Sequence, residues 1–179
     1  METYIAMLRG INVSGQKKIK MTDLKTHLQE LNFKDVQTYI QSGNAVFNYI
    51  KSNPKKLESK IAQKILKEYS FEVSVIVKTR DELKNVLKSN PFTKDKDLNR
   101  LYVTFLSDEP AKENLKNLEG INHSPEEYIL KGKIIYFYSP HGYGKAKMNN
   151  NFFENKLIVA ATTRNWKTVN KLAEMANSS

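Results

Sequence analysis

Three polar segments carry residue types suited to holding an anion. The first is Arg9-Gly10-Ile11-Asn12, followed by Ser14, Gly15, Gln16, Lys17 and Lys18; the second is Gln41-Ser42-Gly43-Asn44; the third is Thr162-Thr163-Arg164-Asn165-Trp166. A guanidinium presents a planar fork to carboxylate or phosphate, and an ammonium adds a point charge. Glycines let backbone N–H groups approach a ligand, and a helix N-terminus favours negative charge. Arg9, Asn12, Lys17, Lys18, Ser42, Asn44, Arg164 and Asn165 are therefore the candidate ligand-binding residues of an anion or carboxylate pocket. The rival reading is structural. Gly10, Gly15 and Gly43 then serve turns, Asn and Ser satisfy loop backbone groups, Arg164 sits in a buried ion pair and Trp166 anchors a core. The first segment lacks the G-x-x-x-x-G-K-[ST] spacing of a P-loop.

Other chemistries are poorly represented. The chain has no cysteine, which excludes disulfides, thiolate metal sites and a Cys nucleophile. His27, His123 and His141 lie far apart in sequence, none in an H-x-x-x-H spacing, so no metal site is expected. No serine lies in a G-x-S-x-G elbow, and no carboxylate pair has an informative spacing. His141, beside Gly142, is the one histidine to test as an acid or base. Gly142-Tyr143-Gly144-Lys145 reads as a surface turn. No catalytic set stands out, no cofactor is expected, and whether the chain is an enzyme stays open.

The net charge is +10, from 29 basic and 19 acidic residues. Such a balance points to anionic partners, although lysines scattered over helix faces also serve solubility. The apolar run Tyr4–Leu8 is too short for a signal peptide and is cut by Arg9. No run approaches the roughly 20 residues that span a bilayer. Both absences lead to the expectation of a cytoplasmic protein with no membrane partner.

The polar segments have to be positioned by regular elements. Tyr4–Leu8 reads as a strand buried on both faces. Met21, Leu24, Leu28 and Leu31 recur at helical spacing, with Thr22 as the expected cap. Val36–Ile40 and Ala45–Tyr49 read as strands joined by the turn at 41–44. Asn53-Pro54 opens a helix with Leu57, Ile61 and Ile65 inside, and Val73, Val75 and Val77 alternate as a fourth strand. The order is βαββαβ, the ferredoxin-like arrangement. Residues 80–99 read as a linking helix, with Thr79 and Glu82 at capping-box spacing, and a charged loop. The pattern then repeats in degenerate form: strand Leu101–Leu106, helix Ala111–Leu118, strands Glu127–Leu130 and Lys133–Tyr138 around Lys131-Gly132, helix Asn151–Leu157, a short strand near Ala160–Thr163, and a last helix capped by Asn165 with Val169, Leu172 and either Ala173 or Ala176 inside. The expected fold is α+β: two ferredoxin-like βαββ(αβ) halves with antiparallel sheets, helices on one face of each, over residues 1–79 and 100–179.

In this topology the first and third strands are antiparallel neighbours. The C-terminal end of the first then meets the N-terminal end of the third. Arg9-Gly10-Ile11-Asn12 is thereby expected beside Gln41-Ser42-Gly43-Asn44 at one sheet edge. Tyr136 and Tyr138 share a strand face, with Tyr102 expected nearby. They stack bases if that face is open and are core if it is covered.

Arg9-Gly10-Ile11-Asn12-Val13, then Met21, then Thr38-Tyr39-Ile40-Gln41-Ser42-Gly43-Asn44, and finally Thr163-Arg164-Asn165-Trp166-Lys167-Thr168-Val169 with Lys171-Leu172 resemble the bacterial domain of unknown function 1697 family. The resemblance implies a small α+β protein with ferredoxin-like elements and carries no activity with it. Ser14 stands where the family commonly has the first of two glycines, and Asn32 where a glycine often ends the first helix. Three function classes follow: a binding module for an anionic ligand (nucleic acid or a phosphorylated small molecule), an enzyme acting on a phosphorylated or carboxylated metabolite at the same site, and a protein-interaction module. The sequence is silent on oligomeric state.

Overall fold

The structure is a computed structural model and describes residues 1–178. The chain divides into two compact units, residues 1–85 with the chain from Lys171 onward, and Val86–Asn170.

The first unit contains β1 (Glu2–Leu8), α1 (Met21–Glu30), β2 (Lys34–Tyr39), β3 (Asn44–Tyr49), α2 (Pro54–Tyr69) and β4 (Val75–Thr79). Its sheet order is β2-β3-β1-β4, and every neighbouring pair is antiparallel. The period-2 alternation of strands explains the core. Tyr4, Ala6 and Leu8 of β1, Ala45 and Phe47 of β3, and Val75 and Val77 of β4 join Leu24 and Leu28 of α1 and Leu57, Ile61 and Ile65 of α2 in one buried cluster. Ile5, Met7, Val46 and Ile76, on the opposite face, are also buried. Val73 is buried too, but the strand begins two residues later than its alternation suggests.

Local chemistry sets the helix ends. Asn53 accepts a bond from the Lys55 amide and Pro54 is the first helical residue, as the sequence predicts. Thr22 is not the cap of α1. The helix already begins at Met21, so Lys20 takes the cap position without a side-chain bond, and the Thr22 hydroxyl turns to the Asp23 carboxylate at 3.3 Å. Asn32, at φ +65° just beyond α1, adopts the left-handed conformation that glycine or asparagine takes at a helix end.

The second unit contains β5 (Leu101–Leu106), α4 (Lys112–Leu115), β6 (Glu127–Lys131), β7 (Ile134–Tyr138), α5 (Asn150–Leu157) and β8 (Ala161–Asn165). Its sheet order, β6-β7-β5-β8, repeats that of the first unit. The hairpin turn is Gly132-Lys133, one residue later than expected, because Lys131 pairs with Ile134. Gly132 supplies the positive φ at its first position. Tyr102 does not share a face with Tyr136. It pairs directly with Phe137 and packs with Phe137 and Tyr143. Tyr136 is buried, and its hydroxyl donates to the Val86 carbonyl at 2.9 Å.

The repetition extends to single hydrogen bonds. Leu8 N donates to Gly43 O at 2.8 Å, and Leu106 N to Lys133 O at 2.9 Å; Arg9 N donates to Ser74 O, and Ser107 N to Ala160 O. Tyr4 pairs with Phe47 and Thr79, as Tyr102 pairs with Phe137 and Asn165. Thr79 and Asn165 then each cap the following helix, α3 (Arg80–Lys88) and α6 (Trp166–Asn177). Among the described residues, no helix is long and apolar enough to cross a membrane.

Candidate functional site

The antiparallel pairing of β1 with β3 brings the first two polar segments together. Met7 lies opposite Asn44. Beyond that pair, the chain from Arg9 to Lys20 folds over the turn at 40–43. Asn12 is the joint. Its Nδ2 donates to the carbonyls of Ile19 and Gln41, both at 2.9 Å, and its Oδ1 accepts from the Ile19 amide. Asn12 N also donates to Lys17 O, closing the base of a small hairpin. At the hairpin tip Val13 bridges Gln16, and the central residues Ser14 and Gly15 have φ of +49° and +75°. A two-residue turn of the I′ kind needs positive φ at both places. Gly15 takes this conformation freely, and Ser14 adopts it at a steric cost.

Strain concentrates at this edge. Asn12, Ser14, Lys17 and Ile40 are four of the eight non-glycine residues with positive φ among those described. A β-branched residue such as Ile40 in that region is a marked outlier. Gly43, at φ +82°, has no alternative: a Cβ there would lie 2.6 Å from Ile11 Cδ1.

The polar residues divide into braces and exposed groups. Asn12 is a brace, and so is Asn44. Asn44 is fully buried and donates to the Tyr39 carbonyl and the Ser42 hydroxyl. These bonds match the loop-satisfying role, with both Nδ2 groups engaged by atoms of the two loops. Lys17 donates to Glu72 O at 2.7 Å with its ammonium 6.0 Å from the Phe71 ring centre. Arg9 and Ser42 are half-buried. Lys17, Lys18 and Lys20 are exposed. Lys20 joins this set only through the structure, because its place beside the hairpin depends on how the loop folds back. From Arg9 to Lys20 the chain carries four basic side chains and no carboxylate.

Arg164 and Asn165 belong to the second unit. Asn165 is the cap of α6, accepting from Thr168 N at 2.8 Å. Arg164 is 6% exposed; its Nη1 donates to the Thr162 hydroxyl at 2.7 Å and to the Thr163 carbonyl at 3.0 Å. Loss of solvation pushes its pKa down to about 10, with the nearby Tyr143 acting in the opposite sense. The guanidinium remains charged at neutral pH, and its burial makes it a structural cation. The Gly142–Lys147 loop uses its amides internally. Tyr143 N bonds the Tyr102 hydroxyl, and Lys147 N and Met148 N both bond the Glu126 carboxylate. His141 is exposed.

Two cavities can be described. One of about 240 Å³ is lined by Met1, Glu2, Thr3, Asn48, Arg80 and Asp81. The other, about 250 Å³, is lined by Phe92, His123, Glu126, Glu127, Tyr128 and Met148 among others. Neither is lined by Arg9, Ser42 or Arg164.

A family model described as "Protein of unknown function (DUF1697)" matches residues 1–136, which include the whole of the Arg9–Lys20 loop and the turn at 40–43. The chain belongs to that family. The match takes in the Arg9-Gly10-Ile11-Asn12 and Thr38–Asn44 motifs, while Thr163–Leu172 lies beyond it. Among solved structures, the chain is similar to the conserved bacterial protein SP0830 from Streptococcus pneumoniae, with 26% identity, a TM-score of 0.79, and 99% of each chain covered. No curated protein matches. The family brings a fold and no chemistry, so the function has to be argued from the edge itself.

Proposed function

We propose that this member of the family is a binding module for an anionic partner, with nucleic acid as the favoured class. The observation that carries the reading is the acid-free stretch Arg9–Lys20, which presents Lys17, Lys18 and Lys20 to solvent from a hairpin braced by Asn12. A backbone already held in place loses little freedom on binding. Backbone strain gathered at one loop pair is also a common mark of a binding site. An exposed basic surface suits a polyanion, whereas a phosphorylated small molecule asks for concave walls, and the described cavities lie elsewhere. The net charge of +10 adds long-range attraction. Asn12, Ser42 and Asn44 act in this reading by holding the loops, and the lysines make the contacts. The setting is the cytoplasm.

Fluorescence anisotropy with labelled single-stranded and duplex oligonucleotides tests it. Binding should weaken as salt rises, with a log–log slope of about −0.9 per phosphate neutralised on duplex DNA. The K18E/K20E double variant should lower affinity steeply and flatten that slope. No binding to either oligonucleotide at low salt would sink the proposal. Binding that the double variant leaves unchanged would move the site away from this loop.

A further inference from the structure

The two helices that cover the first sheet carry a second cluster, unrelated to the basic loop. His27 and Glu30 lie one turn apart on α1, and Glu68 lies in the last turn of α2. One ligand atom from each, His27 ring nitrogen and the two carboxylate oxygens, lie within 4.8 Å of one another. His27 Nδ1 and Glu30 Oε2 are 3.3 Å apart. That separation matches the edge of a tetrahedron drawn with Zn–N and Zn–O bonds of about 2.0–2.2 Å, which is roughly 3.3–3.5 Å.

Two further observations support a cation site. The Lys64 ammonium sits at the focus of the carboxylates, 2.7 Å from Glu30 and 2.6 Å from Glu68. The cluster therefore already holds a cation, supplied by the chain. The other imidazole nitrogen, His27 Nε2, is 3.3 Å from the Tyr69 hydroxyl, and the two rings meet edge to face. A ligating histidine commonly has such a partner on its second nitrogen, which fixes the ring and its tautomer.

We propose that His27, Glu30 and Glu68 form a site for a divalent cation of the zinc class, in competition with the ammonium of Lys64. Imidazole and carboxylate are donors that zinc accepts, and three protein ligands leave a fourth position for water. Lys64 is carried on a flexible stem and can swing to solvent. Glu68 then closes on the ion, tying α1 to α2. This inference does not depend on the basic loop.

Isothermal titration of the chelator-treated full chain with Zn²⁺ tests it, with Co²⁺ absorption as a second readout. The wild type should bind one Zn²⁺ per chain. Lys64→Met should bind at the same stoichiometry at least tenfold more tightly. Adding His27→Ala or Glu68→Gln to Lys64→Met should cost at least tenfold, and the visible bands of tetrahedral Co²⁺ should disappear. Circular dichroism of each metal-free variant checks that the fold is intact; should one be unfolded, Glu30→Gln takes its place. Zinc affinity unchanged by Lys64→Met, or binding that survives loss of His27 and Glu68, would overturn the proposal and leave the cluster a surface ion-pair network.

Discussion

At the scale of single residues, the sheet edge depends on Asn12 and Gly43. Asn12→Ala removes three bonds and exposes two carbonyls and an amide to imperfect partners. A loss of about 1–3 kcal/mol is expected from urea unfolding, together with weaker oligonucleotide binding. Gly43→Ala combines a strained φ with a Cβ placed against Ile11 and Leu8. Its cost should be at least about 2 kcal/mol. The Lys64 network makes a pH prediction. Hydrogen bonds from Lys64, above all, hold the Glu30 and Glu68 carboxyls below the ordinary glutamate range. The folded chain therefore takes up those protons less readily than the unfolded chain. Their contribution is complete above the ordinary glutamate pKa and is lost as pH falls through the lowered values. The stability gap between wild type and Lys64→Met should narrow between pH 7 and pH 3; a gap that stays constant would show the pairs to be fully screened.

At the scale of elements, each half ends on the same device. Thr79 closes β4 and caps α3 through a reciprocal pair, Thr79 N to Glu82 Oε2 at 2.8 Å and Glu82 N to Thr79 Oγ1 at 3.2 Å. Asn165 closes β8 and caps α6. Thr79→Ala and Asn165→Ala should each cost about 1 kcal/mol, measured as a shift in denaturation midpoint without a change in slope. The elements also show how duplicated frames diverge. The backbone bonds at the β1 and β5 ends are equivalent, yet Arg9 leads into a long basic loop while Ser107 leads into Asp108-Glu109-Pro110. The second edge is thus a built-in control: charge changes at Asp108 and Glu109 should affect oligonucleotide binding far less than changes at Lys18 and Lys20.

At the scale of the whole molecule, the chain does not part at one linker. It leaves the first unit within α3, after Asn85, and returns within α6, at Lys171. Leu172, Ala173 and Ala176 are buried side chains of that returning segment. A fragment of residues 1–99 lacks them, and it should unfold at lower urea and bind a hydrophobic dye more strongly than the intact chain. Adding residues 166–179 back as a peptide should partly restore it.

The sequence by itself determined the element order, most helix ends and the inward-facing residues, because those depend on periodicity and on bonds between near neighbours. Asn53-Pro54, the Thr79–Glu82 pair and the Asn165 cap are all of that kind. It also determined that residues 9–12 meet residues 41–44, since strand order follows from βαββαβ connectivity. The cap position of α1 lies two residues before Thr22, and the hairpin turn one residue beyond Lys131-Gly132, because neighbouring positions satisfy nearly the same local rules. What the polar side chains do was decided only by tertiary structure. Asn12 and Lys18 look equally available along the chain, yet folding turns one inward to brace a loop and leaves the other in water. His27, Glu30 and Glu68 came together for the same reason: a ligand set drawn from two helices has no spacing in sequence, and only packing α1 against α2 on one sheet brings it to a single point.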